Sequence, residues 1–243
     1  MGFTKERFLN LGKIQKWHFW FKPREEMVIS LLRKHLISGN LSALDVGCGA
    51  GQITARLAKE GYRSTGIDIF VDGNKRETHP NTAGFVLGNA TKLPFREGSF
   101  DLVVSLDMLE HVYDELALKE IAQVLPVDGI GVFSVPAFQW LWSYRDESAG
   151  HLRRYSKSDL IEKAEKAGFS VLDIRYYQFF LFPLIMITRM LGRKNKVWRD
   201  REEQNLGLLN LLLYYLNSLE VQLGKWIPFP WGSSLVITCR KLK

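Results

Sequence analysis

The feature that most limits how this chain can fold is the run LDVGCGAGQ at residues 44–52. An apolar, strand-like stretch leads into Gly47, Gly49 and Gly51, and a helical pattern begins directly after them. Glycines let a ligand approach the backbone closely, and the N-terminus of a helix offers free N–H groups. The run therefore predicts a strand–loop–helix unit whose loop either holds a ligand or makes a tight turn without one.

The spacing of the glycines narrows the choice of ligand. A dinucleotide fingerprint reads GxGxxG, whereas the third glycine here comes one position early, and the P-loop lysine is absent. The second predicted strand ends at Asp68, about 20 residues after Asp45, where an acid can accept hydrogen bonds from ribose hydroxyls. The loop therefore fits an adenosine-type ligand better than a pyrophosphate, and a nicotinamide-dependent oxidoreductase is disfavoured.

Strands and helices alternate along the middle of the chain. Short apolar runs predict strands, and amphipathic segments between them predict helices. The predicted strands cover residues 42–47, 63–68, 84–89, 100–107, 129–136, 170–178 and 233–241, and the predicted helices cover 23–36, 51–62, 114–125 and 156–169. Residues 72–82 are polar and predict at most a weak helix. The alternation predicts an α/β fold with a doubly wound, Rossmann-like sheet.

The composition is that of a globular protein with a basic surplus. The formal net charge of +7 favours an anionic partner, such as nucleic acid or a lipid surface, or serves solubility alone. Cys48 and Cys239 form no metal-binding spacing and predict a reducing, cytoplasmic setting. The N-terminus lacks the apolar region of a signal peptide, and the longest apolar run, residues 179–187, is too short to span a bilayer.

Four stretches, in this order, resemble the class I S-adenosylmethionine-dependent methyltransferases. LDVGCGAGQ resembles the first motif of that family, and GID resembles the acidic end of its second strand. GNATKLPFREGSFDLVVSLDMLEHV resembles the stretch that holds the adenine and carries the fourth strand, and LPVDGIGVFSVP resembles the fifth-strand hairpin. The resemblance covers about residues 40–140 and implies a seven-stranded sheet with an antiparallel last strand, preceded by a helical insertion.

Three further stretches resemble a narrower group within the small-molecule and ubiquinone-biosynthesis-like members. HFWFKPREEMV, DESAGHLRRYSKSDL and PFPWGSSLVITCRK are similar to a subgroup often linked to glycolipid or surface polysaccharide pathways. These motifs are less specific than those of the core, and they imply no particular substrate.

The resemblance implies that S-adenosylmethionine is the cofactor, with the glycine loop beside its methionine part. Asp68 would hold the ribose and Ile69 would pack on the adenine. Asn89 stands where the family often has Asp, and its amide oxygen can still accept a hydrogen bond from the adenine amino group. The implied cofactor-binding residues are Asp45, Gly47, Gly49, Gly51, Asp68, Ile69, Asn89, Ala90 and Leu106.

We expect residues 1–243 to form a single methyltransferase domain. The expected parts are an N-terminal helical lid at 1–39, a cofactor-binding core at 40–178, a helical insertion or cap at 179–231 and a final strand at 232–243.

Methyl transfer to a hydroxyl needs a base that takes the proton. Candidates should follow the C-terminal ends of strands, where open α/β sheets bind ligands. His151 is the first candidate, as base or as positioner of the acceptor; its alternative is a loop histidine bonded to backbone. Arg153 and Arg154 fit either an acidic acceptor or a solvated basic pair.

The run LDMLEHV offers a metal site as an alternative. Asp107, Glu110 and His111 would lie one turn apart, and they resemble a divalent-cation cluster of some ubiquinone-pathway and small-RNA methyltransferases. In metal-free relatives, Glu and His at these places cap and pack the helix start. We expect no metal here.

The aromatic N-terminal segment predicts either a lid over the cofactor or an amphipathic helix packed on the sheet. Its aromatic residues are Trp17, Phe19, Trp20 and Phe21. If the segment is a lid, Arg24 would meet the carboxylate of the cofactor.

Two predicted helices of the insertion, 179–192 and 205–223, are too apolar to lie bare in water. A cap over an acceptor pocket, a homodimer face and a peripheral membrane contact would each bury them. Between the two helices lies a basic run comprising Arg189, Arg193, Lys194, Lys196, Arg199 and Arg201.

The predicted function is methylation of a small or lipid-linked acceptor at oxygen, in the cytoplasm or at the periphery of a membrane. The alternatives are an RNA methyltransferase and a non-catalytic scaffold that binds S-adenosylmethionine. Methylation of RNA is disfavoured because no RNA-binding module is recognisable and the insertion at 179–231 is apolar.

Overall fold

The computed structural model describes residues 18–35, 40–70, 80–192 and 207–242, which contain one seven-stranded sheet. The strands are β1 Ser42–Val46, β2 Arg63–Asp68, β3 Thr82–Leu87, β4 Leu102–Leu106, β5 Ile130–Pro136, β6 Phe169–Tyr177 and β7 Ser234–Lys241. They lie in the order β3-β2-β1-β4-β5-β7-β6. The strands from β3 to β5 pair in parallel, and β7 runs antiparallel to both of its neighbours. The predicted Rossmann-like class and the antiparallel last strand are confirmed.

Helices connect the strands on both faces of the sheet. In the described residues they are α1 Phe21–His35, α2 Gln52–Lys59, α3 Asp114–Val124, α4 Tyr144–Ala149, α5 Lys157–Lys166, α6 Phe182–Gly192 and α7 Leu208–Leu223. The sequence predicts all of these except α4, which is too short for its period to be visible. Ser156 caps α5 through a bond from the Asp159 N–H, and Ser143 caps α4 in a capping box with Asp146.

The sheet is buried on both faces, which explains the nearly continuous apolar run of β4. Leu102 and Val104 pack with Met27 of α1, while Val103 faces the other way and packs with Leu118 of α3. Full burial of such side chains stabilises the fold by roughly 1.5–3 kcal/mol each. The C-terminal ends of β1, β2, β4 and β5 lie at one edge, so the loops that follow these strands meet there.

The insertion between β6 and β7 contains α6 and α7. Helix α7 packs against α1, and it fixes the preceding segment because Asn210 Oδ1 accepts from the Phe19 N–H at 2.9 Å and Asn217 Nδ2 donates to the Phe19 oxygen at 3.0 Å. No helix in the described ranges is both long and apolar enough to span a bilayer. Trp17, most of the segment 72–82 and the basic run apart from Arg189 lie outside the described residues, and the division of the domain into four parts stays a prediction.

Candidate active site

The glycine loop closes the C-terminal end of β1. Gly47, Gly49 and Gly51 have φ angles of 77°, 53° and 83°, a region that other residues rarely adopt. A Cβ atom at Gly47 would also lie 2.6 Å from Cγ of Met108. The turn therefore requires glycine, and it leaves the loop backbone bare beside the first turn of α2.

Asp68 connects the end of β2 to this loop. One of its carboxylate oxygens accepts from the Gly49 N–H and the other from the Phe70 N–H, both at 2.9 Å. These bonds orient the carboxylate at the end of β2. The adjacent Ile69 exposes 54% of its surface, so an apolar wall stands next to the acid.

Asn89 and Ala90 form the turn that follows β3. The Asn89 Oδ1 atom accepts from the N–H and the hydroxyl of Thr91, both at 3.0 Å. The oxygen that we expect to meet the adenine is thus already engaged inside the turn.

Asp45 lies buried beneath the loop. Its Oδ2 atom accepts from the Thr54 hydroxyl at 2.7 Å. Burial raises the pKa of Asp45 to about 7, although the bond from Thr54 acts in the opposite direction. A positive group placed near Asp45 would restore the charged form.

A small cavity lies between the glycine loop and α1. Arg24 and Gln52 line it, and each keeps a buried nitrogen, Nε and Nε2 respectively, without a hydrogen-bond partner among the described residues. Buried donors of this kind are costly unless an acceptor is present. The lining residues are Phe21, Arg24, Glu25, Asp45, Gly47, Cys48, Gly49, Gln52, Ile53 and Leu106.

A larger cavity of about 200 Å³ lies between β6, α7 and residues 224–229. No predicted site residue lines it, and its charged pair, Asp173 and Arg175, is already bonded together. We assign ligand binding to the smaller cavity because that cavity lies at the C-terminal strand ends.

Asp107 follows β4 in the left-handed region, with a φ angle of 52°. Its carboxylate accepts from Arg24 and from the Ser134 hydroxyl, the latter at 2.8 Å. Asp107 is therefore paired with the wall of the cavity, and it does not join Glu110 and His111.

His151 takes the third place in that cluster instead. One ligand atom from each of Glu110, His111 and His151 lies within 4.8 Å of the others, and the two imidazole rings meet edge to face at 4.7 Å. Burial, followed by the charge of Asp107, raises the pKa of Glu110 well above its usual range. A cation bound there would have to displace a proton.

His151 is oriented by a carboxylate that the sequence did not single out. Its Nδ1 atom lies 2.9 Å from Oδ1 of Asp146, and its Nε2 atom lies 3.9 Å from Oε1 of Glu110. Burial opposes the charge of Asp146, but the bond from His151 and the charges of Arg154 and Arg189 hold the pKa of Asp146 below its ordinary value.

Arg153 and Arg154 each form an ion pair with a carboxylate of the same chain. Arg153 pairs with Asp114, which also accepts from the Tyr155 hydroxyl at 2.8 Å. Arg154 Nε donates to Asp146 at 2.8 Å. Arg154 is therefore not part of a solvated pair, whereas Arg153 keeps 30% of its side chain exposed.

Residues 44–133 match the family described as "Methyltransferase domain". The chain is 32% identical over 144 residues to a ubiquinone biosynthesis O-methyltransferase of Methylococcus capsulatus, a match that covers 51% of this chain and 61% of the relative. It is 30% identical over 180 residues to the mitochondrial arginine-hydroxylase NDUFAF5 of Danio rerio, covering 65% of this chain and 56% of the relative. These matches span less than two thirds of either relative's length.

A solved structure shares the fold over most of the chain. The putative sarcosine dimethylglycine methyltransferase of Galdieria sulphuraria superposes with a TM-score of 0.60 at 16% identity, covering 91% of this chain and 86% of that one. Residues 44–133 therefore carry a methyltransferase domain, and the chain is similar to class I S-adenosylmethionine-dependent methyltransferases in sequence and in fold.

The cofactor of this methyltransferase family is S-adenosylmethionine, and the cavity fits it. The unpartnered donors of Arg24 and Gln52 suit its carboxylate. Asp68 offers acceptors for ribose hydroxyls, and Ile69 offers an apolar surface for the adenine.

The sequence did not point to Gln52 or Asp146, and it singled out Arg189 only as a member of the basic run, whereas the structure pairs Arg189 with Asp146. Ser143 followed three residues later by Asp146 is a recognisable capping pattern and could have revealed α4. The sequence carries no such signal for the roles of Gln52 and Arg189, because these roles depend on groups that are distant in sequence.

Proposed function

We propose that this methyltransferase transfers the methyl group of S-adenosylmethionine to an oxygen atom of a small or lipid-linked acceptor. The observation that carries the proposal is the His151–Asp146 pair beside the C-terminal ends of the strands. A histidine whose Nδ1–H is held by a carboxylate presents Nε2 as a proton acceptor. The relative named as an O-methyltransferase supports oxygen as the acceptor atom.

The residues at the glycine loop bind and orient the cofactor in this proposal. When bound, the cofactor supplies an electrophilic methyl group. Asp68 binds the ribose, Ile69 and Leu106 pack on apolar parts, and Arg24 with Gln52 binds the carboxylate. The bare backbone of Gly47 and Gly49 permits close approach.

A lipid surface is the partner that best fits the outer face of the insertion. Exposed apolar residues on α6, α7 and the following loop are Leu184, Ile187, Met190, Leu208, Leu209, Leu211, Leu212, Tyr215, Leu219, Trp226, Ile227 and Trp231. Within α6 and residues 207–231 the sole carboxylate, Glu220, is buried, whereas Lys225 is exposed. An apolar face without exposed acids suits an anionic bilayer, and Trp226, 86% exposed, suits its interface.

The decisive experiment supplies methyl-labelled S-adenosylmethionine together with separate lipid, small-molecule and RNA fractions. We expect label in the lipid or small-molecule fraction as an O-methyl group. His151→Gln should lower kcat by about 10²-fold or more while cofactor affinity stays unchanged. His35→Gln, at the end of α1, is the matched control. Full activity of His151→Gln would show that His151 is not the general base.

Two alternative functions are distinguished by the same experiment. Label in RNA alone would identify an RNA methyltransferase. Tight binding of the cofactor without any labelled product would indicate a scaffold. The relative named as an arginine-hydroxylase shows why transfer itself must be measured.

We propose that the reaction needs no metal ion. Burial raises the pKa of Glu110 and so favours its neutral form, which binds cations poorly, and Asp107 is already paired with Arg24. Exhaustive chelation should leave activity within about twofold of the untreated enzyme. Loss of activity that magnesium or zinc restores would instead assign a cation to Glu110, His111 and His151.

A further inference from the structure

A largely buried arginine of helix α6, Arg189, contacts the segment that carries His151. Arg189 extends away from the outer face of the helix, and its side chain is only 11% exposed. The NH1 group donates to Asp146 Oδ2 at 2.9 Å, to the Ser143 hydroxyl at 3.1 Å and to the Leu141 carbonyl at 3.2 Å. Although burial lowers the pKa of Arg189 to about 9, the group is still a cation at neutral pH.

Both oxygens of Asp146 are thereby occupied. Oδ1 faces Nδ1 of His151 and accepts from Nε of Arg154, while Oδ2 accepts from the Ser143 N–H at 2.9 Å and from Arg189. Arg154 is itself anchored, since its NH1 donates to the Ala137 carbonyl at the end of β5. A carboxylate held from several directions has one orientation available, and it fixes the imidazole that bonds to it.

We propose that Arg189 is a positioning residue, which acts through Asp146 to hold the His151 ring in one orientation with its proton on Nδ1, so that the lone pair is on Nε2. The inference rests on the proposed function in giving His151 the role of base. It adds that the insertion, although distant in sequence, is required to set the geometry of that base.

The placement of Arg189 on α6 gives this contact a second consequence. Ile187 and Met190, its near neighbours on the same helix, are exposed on the outer face. A displacement of α6 by an acceptor or a lipid surface would therefore move Arg189 and change the restraint on His151.

The first test uses the unmodified full-length protein with ¹⁵N-labelled histidine. The ring signals of His151 are assigned by difference against His151→Gln. We expect the Nδ1–H tautomer near neutral pH. An Nε2–H tautomer overturns the proposal whatever the variants do, and this measurement does not require activity.

The second test compares Arg189→Gln with Arg33→Gln, which removes an exposed arginine paired with Glu60 on the surface. Arg189→Gln should give mixed tautomers and a single-turnover rate lower by about 10- to 100-fold, with unchanged cofactor affinity. Arg189→Lys should give intermediate values. A wild-type spectrum and rate in folded Arg189→Gln contradict the proposal.

If Arg189→Gln does not fold, Arg189→Lys is the test variant. A wild-type histidine spectrum and a wild-type single-turnover rate in Arg189→Lys would then overturn the proposal. Failure of the base assignment is distinguishable, because it would appear as full activity in His151→Gln. In that case a change of the His151 spectrum in the Arg189 variants would still establish the positioning contact.

Discussion

Asp45 and Asp146 are both buried aspartates, 2% and 0% exposed, yet their surroundings favour opposite protonation states. Asp45, on the cofactor side, has the neutral hydroxyl of Thr54 as its side-chain partner, and burial raises its pKa to about 7. On the acceptor side, Asp146 is also opposed by burial, but His151 and two guanidinium groups hold its pKa low.

The contrast shows that burial alone does not decide whether an acid is charged; the partners do. On the acceptor side, the protein supplies its own cations and uses the resulting charge to fix a histidine. On the cofactor side, the carboxyl group of Asp45 lines a cavity and has no cationic hydrogen-bond partner among the described residues. A cationic part of the bound cofactor would complete that site.

The strongest test of the contrast removes the charge of Asp146. In Asp146→Asn, Arg154 and Arg189 stay buried without a carboxylate, and the amide nitrogen faces donors. We expect the free energy of unfolding at pH 7 to fall by about 3–5 kcal/mol, measured by urea titration. Asp45→Asn is the matched control and should lose nothing at this pH. Equal losses in both variants would mean that pairing does not distinguish the two acids.

The next test concerns Asp68, the partly buried acid at the end of β2. Asp68→Ala should weaken S-adenosylmethionine binding by roughly 1–3 kcal/mol, because hydrogen bonds to the ribose are lost. Calorimetry measures the effect, and Asp173→Ala, on the far strand β6, is the control. Tighter binding of NAD than of S-adenosylmethionine by the wild-type protein would contradict the cofactor assignment itself.

The two sides also differ in how far the sequence reveals them. Gly47, Gly49 and Asp68 are recognisable because a turn, a strand end and a helix start are local features, and backbone strain permits few other residues. Local patterns likewise predicted all seven strands in the correct positions.

The acceptor side depends on contacts between distant residues. Asp107 is near Glu110 in sequence, so a local argument grouped them, but Arg24 from α1 captures Asp107 while His151 approaches Glu110 from another loop. Arg189 reaches Asp146 from the insertion. Such ion pairs leave no periodic pattern in a sequence, and only packing of the elements reveals them.

The pH dependence of stability should also distinguish the two aspartates. The folded-state pKa of Asp45 is about 7 against an ordinary value of 3.8, so between these values the folded protein binds more protons than the unfolded chain. Stability therefore falls as pH rises from about 4 to about 7, and the penalty is complete above pH 7. Asp45→Asn lacks the penalty and should be more stable than wild type by up to about 4 kcal/mol at pH 8, because each pKa unit between 3.8 and about 7 is worth about 1.4 kcal/mol.

Thermal unfolding at pH 4 and pH 8 measures this difference. The advantage of Asp45→Asn should be absent at pH 4, where the acid is protonated when folded. The same variant should bind S-adenosylmethionine more weakly, because Asn cannot attract a cationic group. An advantage that is equal at both pH values would show that Asp45 is not held in its neutral form.

The smallest expected effect concerns the exposed apolar face of helix α7 in the insertion. Leu209 is 48% exposed and Leu213 only 8%, so the two leucines separate surface binding from core packing. Leu209→Ser should weaken sedimentation with anionic vesicles by about 1 kcal/mol, the loss expected for one partly buried apolar side chain, and leave unfolding unchanged. Leu213→Ser should instead lower stability and leave the vesicle affinity of the folded protein unchanged.

Cofactor affinity should stay at the wild-type value in both variants, because neither leucine lines the cavity at the glycine loop. If Leu209→Ser changes oligomer mass while vesicle binding stays constant, a second copy of the chain covers this face, and the lipid surface is wrong.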